Sequence, residues 1–339
     1  MTPKAWVALC LVLLAGCSAS SSSLSDSSNP TPSEGLFPEG ALLVGPGPID
    51  VANRFLPVVM LSTIIVDAAG DRHFLPCSGV LIHRRLVITA GHCVCLPRMP
   101  EPGDVPAPAV SLSYVGPLRP QLTRAGELRD VALRSILDKK SPCARTTLVT
   151  ASRYKRTKGG VPGAETTEHY DSEILIHPQF EVVNGERGGR IETVWASADF
   201  AAILLKKPVE FELTPLELPT QEVTTGADIT LVGYGPGDSP KYLGERQLGE
   251  SHITQLLRLE TGSVIFKAEE QSLPDGGVTA SAASGDSGGP VVIKTRPGVL
   301  VGITSVGAKT RNGRKVSIFM SAYSHREWLN EVLQRADKS

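Results

Sequence analysis

From Arg54 onward the chain is a succession of short apolar runs cut by Gly, Pro and Asp, and nothing else in it constrains the fold as much. Examples are Val58-Val59-Met60-Leu61, Thr63-Ile64-Ile65-Val66, Val80-Leu81-Ile82 and Leu86-Val87-Ile88. Later come Ile174-Leu175-Ile176, Ile203-Leu204-Leu205, Ile229-Thr230-Leu231-Val232, Pro290-Val291-Val292-Ile293 and Val299-Leu300-Val301-Gly302-Ile303. These runs are β-rich, strand-like in length and free of long helical periodicity. One segment alone reads as a helix, Ser324 to Gln334, with Trp328, Leu329, Val332 and Leu333 on one face. An all-β fold follows, built as barrels or sandwiches, and the strand pattern does not choose between them. At 339 residues and 41% apolar content the chain can bury a large core. A formal net charge of −1 gives no reason to expect a nucleic-acid partner or broad attraction to anionic membranes.

Two polar segments carry chemistry. One is Gly285-Asp286-Ser287-Gly288-Gly289-Pro290, the other Thr89-Ala90-Gly91-His92-Cys93. A serine hydroxyl is almost wholly protonated at neutral pH and becomes a nucleophile only when a base takes its proton as it attacks. The glycines beside Ser287 leave backbone N–H groups room to turn toward a developing oxyanion. Singly, each segment is also compatible with a polar turn or a core histidine. A third residue must orient the histidine, and Asp130, Asp138, Asp171, Asp199 and Asp228 all lie between the two segments.

Both segments resemble the active-site motifs of the chymotrypsin-like serine proteases, and the resemblance runs from about Arg54 to Leu333. It implies two six-stranded antiparallel β-barrels with the active site between them and a C-terminal helix. Ala198-Asp199-Phe200-Ala201-Ala202, followed by Pro208-Val209, resembles the family's strand entry at the triad acid, which selects Asp199. His177-Pro178-Gln179-Phe180 and Leu231-Val232-Gly233-Tyr234-Gly235 are weaker similarities in family order. The implied roles are Ser287 as nucleophile, His92 as base, and Asp199 as its orienter. Gly285 and Ser287 would supply the oxyanion-hole amides, and Ser305, Val306 and Gly307 would bind substrate backbone, Ser305 also bonding the acid. No metal or organic cofactor is implied; the substrate would be a protein or peptide.

The pocket departs from the pattern. Ser281 stands where trypsins carry an aspartate at the pocket base, so strong cleavage after Arg or Lys is not expected. Val306 replaces a common tryptophan and Ala283 a common cysteine. Counting back from Ile318 puts Lys315 near the pocket wall, where a cation favours acidic P1 residues; otherwise it points to solvent. The interval from His92 to Asp199 is 107 residues, about twice the family's, so an insertion is expected at about 96–169. It either gates substrate or decorates a barrel. Within it, Arg153-Tyr154-Lys155-Arg156-Thr157-Lys158 reads as a solvated basic loop open to nicking. In the family, a newly cut N-terminal amine pairs with the residue corresponding to Asp286. Here Leu42-Leu43-Val44-Gly45 has no Arg or Lys just before it. Three outcomes stay open: a cut near Ala41–Val44, a substitute cation, or an unpaired Asp286.

The N-terminus sets the compartment. Lys4 precedes an apolar run from Ala5 to Ala15, too short for a stable span and typical of a signal peptide. It ends in Leu14-Ala15-Gly16-Cys17, which resembles a bacterial lipobox in which Cys17 is acylated and anchors the protein to a membrane. The alternative is a plain secretory signal with an incidental cysteine. Ser18 follows, with no aspartate there, which for a Gram-negative cell points to the outer membrane. Residues 1–16 thus read as signal peptide, 17–40 as a Ser-rich tether and 41–335 as the protease-like domain. Cys77, Cys93, Cys95 and Cys143 remain, an even count that suggests disulfides in an exported protein. Cys77 with Cys93 resembles the family's histidine-loop bridge. Cys95 and Cys143 are then a second pair, unless they stay free or Cys95 competes with Cys93. Zinc at His92, Cys93 and Cys95 is disfavoured by the spacing.

Overall fold

A computed structural model describes residues 49–104, 131–156, 162–236, 244–259, 261–310 and 312–338. Cys17, the Ser-rich tether, the Leu42–Gly45 segment, Asp130 and Gly159-Gly160 lie outside them. The first sheet is formed by β1 (Val58–Val66), β2 (Arg72–His83), β3 (Leu86–Thr89), β5 (Leu148–Arg156), β6 (Pro162–Tyr170), β7 (Ser172–Ile176) and β10 (Ala201–Leu205). Its order is β6-β5-β1-β2-β3-β10-β7. Between β6 and β7 stands the single residue Asp171. Tyr170 pairs with Val149 of β5, and Ser172 pairs with Leu205 of β10. They are therefore two halves of one bent strand that closes the sheet, so the seven labelled segments make a six-stranded barrel.

The second sheet repeats the device. It contains β11 (Asp228–Gly233), β12 (Gln247–His252), β13 (Gln255–Arg258), β14 (Val264–Glu269), β15 (Pro290–Ile293), β16 (Arg296–Lys309) and β17 (Lys315–Ser321). In the order β12-β11-β15-β16-β17-β14-β13, the ends β12 and β13 are one strand bent at Ile253-Thr254. Alternation puts Ile229, Leu231, Phe266, Val291 and Phe319 inside, with the Phe266 and Phe319 rings 5.1 Å apart. Each fully buried side chain of this kind stabilises the fold by about 1.5–3 kcal/mol. The two-barrel expectation holds.

The helix α1 (Arg326–Lys338) begins after a 3₁₀ turn at Tyr323–His325, slightly later than the apolar periodicity suggested, and runs four residues further. It buries Leu329, Val332 and Ala336 and packs back on β2 and β3 of the first barrel. Among the described residues no helix is long and apolar enough to cross a membrane.

A third sheet, β4-β8-β9, consists of β4 (Ala132–Asp138), β8 (Glu181–Arg187) and β9 (Arg190–Ser197). Its Ile136, Leu137, Val182, Val183 and Trp195 join the first barrel's core. Arg98 fastens its edge, bonding Asp104 and Asp138 at 2.6 Å each. The basic stretch expected as a loop is strand as far as Arg156. The reason is Tyr154, which is buried against Arg246 while Arg153 and Lys155 face solvent.

Candidate active site

His92 lies in a 3₁₀ turn, Gly91–Cys93, directly after β3. The Cys77–Cys93 disulfide pins that turn to β2, and Cys95–Cys143 pins the next residues to the segment leading into β5. Both sequence pairings are thus present. The Sγ atoms of Cys77 and Cys93 lie within 4.8 Å of a His92 ring nitrogen, but their bond to each other removes them as thiolate ligands.

Asp199 sits between β9 and β10, after Ala198 in the left-handed region at φ 47°. Its side chain is fully buried and fully used. Oδ1 accepts from the His92 amide at 3.0 Å; Oδ2 accepts from His92 Nδ1 at 2.7 Å and from Ser305 Oγ at 2.6 Å. Burial alone would push this carboxyl up. The His92 ring and the three hydrogen bonds outweigh burial and hold it below the ordinary carboxylate range. A proton on Nδ1 leaves Nε2 as the basic nitrogen. The other described candidate acids are elsewhere: Asp138 pairs with Arg98, Asp171 with Lys206 at the surface, and Asp228 is exposed at the start of β11.

Ser287 occupies the loop between β14 and β15 of the second barrel, with Gly285 at φ 95° and Gly288 at φ 78° on either side. Gly288 has no alternative: a Cβ there would stand 2.0 Å from Thr89 Oγ1 and 2.4 Å from Ser78 O. Ser287 O accepts from the Ser78 amide at 2.8 Å, and Gly288 N donates to Thr304 O at 2.8 Å. The loop is thus stitched to the barrel that carries His92 and to the strand that carries Ser305. The amides of Asp286, Gly288 and Gly289 all donate within the protein, whereas among the described residues those of Gly285 and Ser287 donate to no protein acceptor. Amides without a protein acceptor beside a serine hydroxyl are the kind of donor that stabilises an oxyanion.

Asp286 points the other way, into the second barrel. Its Oδ1 accepts from the Gly235 amide and Oδ2 from the Ala283 amide, both at 2.9 Å. Burial pushes its carboxyl up to about 6 despite those two donors.

Around the expected pocket, Ser281, Ala282, Ala283 and Val306 are buried. Gly307 on β16 faces Ser317 on β17, and the Ala282 amide donates to Ser317 Oγ at 2.7 Å. Lys315 lies two positions further out, opposite Lys309 and 3.9 Å from Glu270. Ser317 was not singled out in the sequence; its place opposite Gly307 follows an irregularity of β16 between Thr304 and Val306. Ser78 and Tyr234 tie the loop to both barrels; Tyr234 falls in the Leu231–Gly235 similarity, whereas Ser78 was not singled out in the sequence.

The trypsin family model matches residues 147–329, more than half of the chain, including Asp199, Ser287 and Ser305. The chain belongs to the trypsin family. The segment with His92 and Cys77 lies upstream of the matched span, and the geometry alone ties it to the rest. Curated relatives of this family member include a renal glandular kallikrein of Mastomys natalensis, 29% identical over 48% of this chain and 64% of the relative. Glucanase inhibitor protein 4 of Phytophthora infestans is 29% identical over 44% and 61%. Phenoloxidase-activating factor 1 of Holotrichia diomphalia is 25% identical over 75% and 60%. In each case the match spans less than two thirds of the relative's length.

Proposed function

We propose that the protein is a serine endopeptidase. Ser287 Oγ attacks the scissile carbonyl carbon as its proton passes to His92 Nε2, and the oxyanion forms against the Gly285 and Ser287 amides. His92 then returns the proton to the leaving amine, and water hydrolyses the acyl-enzyme by the same route. The observation that carries this reading is the buried His92–Asp199–Ser305 array beside a loop with two unused amides. Asp199 stabilises the imidazolium formed in the first step; losing one oxyanion donor would cost about 3–4 kcal/mol in barrier. With Ser281, Ala282 and Ser317 at the pocket, a long cationic P1 side chain would meet hydroxyls and methyls, with Ser281 rather than a carboxylate at the expected pocket base. The preferred P1 residue is therefore neutral, and hydrolysis after Arg or Lys is slow. The paired cysteines fit an oxidising compartment. The lipobox-like Leu14–Cys17 supports export with a lipid anchor on Cys17.

A second reading has its own support: a relative is named a glucanase inhibitor, so the fold also serves binding without requiring cleavage. The two part on a fluorophosphonate serine-hydrolase probe applied to the purified mature protein beside Ser287→Ala. Labelling abolished by the substitution supports the peptidase. A folded protein that stays unlabelled, before and after limited proteolysis near Ala41, supports the binding protein.

A further inference from the structure

Apart from the His92–Asp199 array, the described residues contain one ion pair with both side chains wholly buried, Asp50 with Arg246 at 3.0 Å. Burying two charges costs several kcal/mol per ion unless every polar atom is satisfied. Here the satisfaction spans three parts of the molecule. Asp50, in the segment before β1, also accepts from the amides of Arg54 and Phe55 at 2.9 Å each. Arg246 Nη1 donates to Ser152 O of the first barrel at 2.8 Å and reaches Tyr234 Oη of the second at 3.4 Å. Its Nη2 donates to Asn53 Oδ1 at 3.3 Å, and its amide donates to Tyr154 Oη at 2.7 Å.

From Arg246, two links lead to the nucleophile loop. Tyr234 stands between Gly233 and Gly235, and Gln247, next to Arg246, donates from Nε2 to Gly235 O at 2.7 Å. Those two glycines clasp Asp286. A Cβ on Gly233 would stand 2.1 Å, and one on Gly235 2.7 Å, from Asp286 Oδ1. The Tyr234 amide donates to Ser78 Oγ at 2.9 Å, and Ser78 Oγ donates to Gly285 O at 2.7 Å. Tyr234 Oη in turn donates to Val58 O at 3.1 Å, locking the turn to the first barrel. A shift at Arg246 therefore displaces the turn that holds both Asp286 and Gly285, the residues flanking the proposed nucleophile and its oxyanion donor.

We propose that Arg246, held by Asp50, is a positioning residue that shapes the Ser287 loop in the uncut chain, so that Ser287 is reactive without a new N-terminal amine on Asp286. The inference rests on the peptidase reading above and concerns how that site is assembled.

The test uses the full mature chain, its N-terminus checked by intact mass, and measures fluorophosphonate labelling rates before and after cutting near Ala41. Arg246→Gln and Tyr234→Phe are measured beside it; the second keeps the ring and removes only the hydroxyl, so it carries the test if the first fails to fold. The uncut wild-type chain is expected to label at a rate close to that of the cut chain. Both variants should label more slowly, Arg246→Gln by on the order of tenfold or more, through slower bond formation with unchanged probe affinity and an unchanged near-UV spectrum. An uncut chain that stays unlabelled while the cut chain reacts overturns the inference and leaves the peptidase reading standing. Variants that label like wild type also overturn it. A chain unlabelled in both forms refutes the peptidase reading itself.

Discussion

His177 and His325 form a buried pair whose tautomers are set by geometry, and lowering the pH should destabilise the protein through it. The Gln179 amide donates to His177 Nδ1 at 3.1 Å, so the His177 proton is on Nε2 and is donated to His325 Nδ1 at 3.2 Å. The His325 proton is then on Nε2, which is buried and has no hydrogen-bond partner among the described residues. Phe200 and Trp328 close the site with ring centroids about 5 Å away, and among the described residues no carboxylate offsets a charge there. Burial pushes His177 down to about 4, and burial together with His177 pushes His325 down to about 3. Above pH 6.5 both are neutral, folded or unfolded, and nothing is lost. Below it the unfolded chain binds protons that the folded chain refuses, so stability falls as pH falls. Each histidine contributes about 1.4 kcal/mol per pH unit, hence about 4 kcal/mol for the pair between pH 7 and pH 5. Asp286 works in the opposite sense: with its carboxyl raised to about 6, protonation favours the fold and returns about 1 kcal/mol over that interval. The net loss of about 3 kcal/mol is a large part of a typical 5–15 kcal/mol. Urea unfolding at pH 7 and pH 5 measures it. His325→Phe should abolish about half of the pair's slope. At pH 7 it leaves His177 Nε2–H without an acceptor, at a cost of about 1–3 kcal/mol, so the slopes are the quantity to compare. Equal wild-type stability at the two pH values, or an unchanged slope in His325→Phe, would refute the reasoning.

Three further outcomes are expected. Gly288→Ala should destabilise the protein by more than about 3 kcal/mol, since its Cβ meets backbone as well as Thr89 Oγ1 and the residue is in the left-handed region; a urea midpoint within error of wild type would contradict this. Ser305→Ala removes a hydrogen bond to a charged, buried Asp199, worth about 1.5–3 kcal/mol, and should lower peptide-hydrolysis kcat/KM by roughly tenfold or more. Replacing Cys95 and Cys143 by alanine opens a loop of 48 residues and should cost about 4 kcal/mol, against about 3 kcal/mol for the 16-residue Cys77–Cys93 loop; calorimetry that reverses this order would show the bridges acting through native-state contacts instead.

The barrels were legible because β-branched runs alternate and end at Gly, Pro or Asp, which is local information. The proposed triad was legible for another reason. His92, Ser287 and Asp199 sit in turns and strand entries whose backbone demands, above all at Gly288, restrict the surrounding residue types. Ser317 was not legible, because its position opposite Gly307 depends on an irregularity in β16 that leaves no mark in composition. The Asp50–Arg246 pair was invisible for a more general reason. A charged residue 196 positions from its partner looks like any surface residue until the fold buries both. The third sheet likewise joins β4 to β8 across Cys143 and the β5–β6 hairpin, a non-local pairing that alternation alone does not encode.

Both disulfides attach within three residues of His92, one on each side of the chain's exit from the 3₁₀ turn. Oxidation therefore shortens the free chain on both sides of the imidazole's exit from the turn. A reduced chain still has the strand that ends at Thr89 and the buried acid waiting at Asp199, but its histidine turn is held by a few backbone hydrogen bonds and the acid's own reach. The two bridges thus make the freedom of the imidazole's own segment a matter of redox state, while its carboxylate, at the entry to β10, lies outside both closed loops.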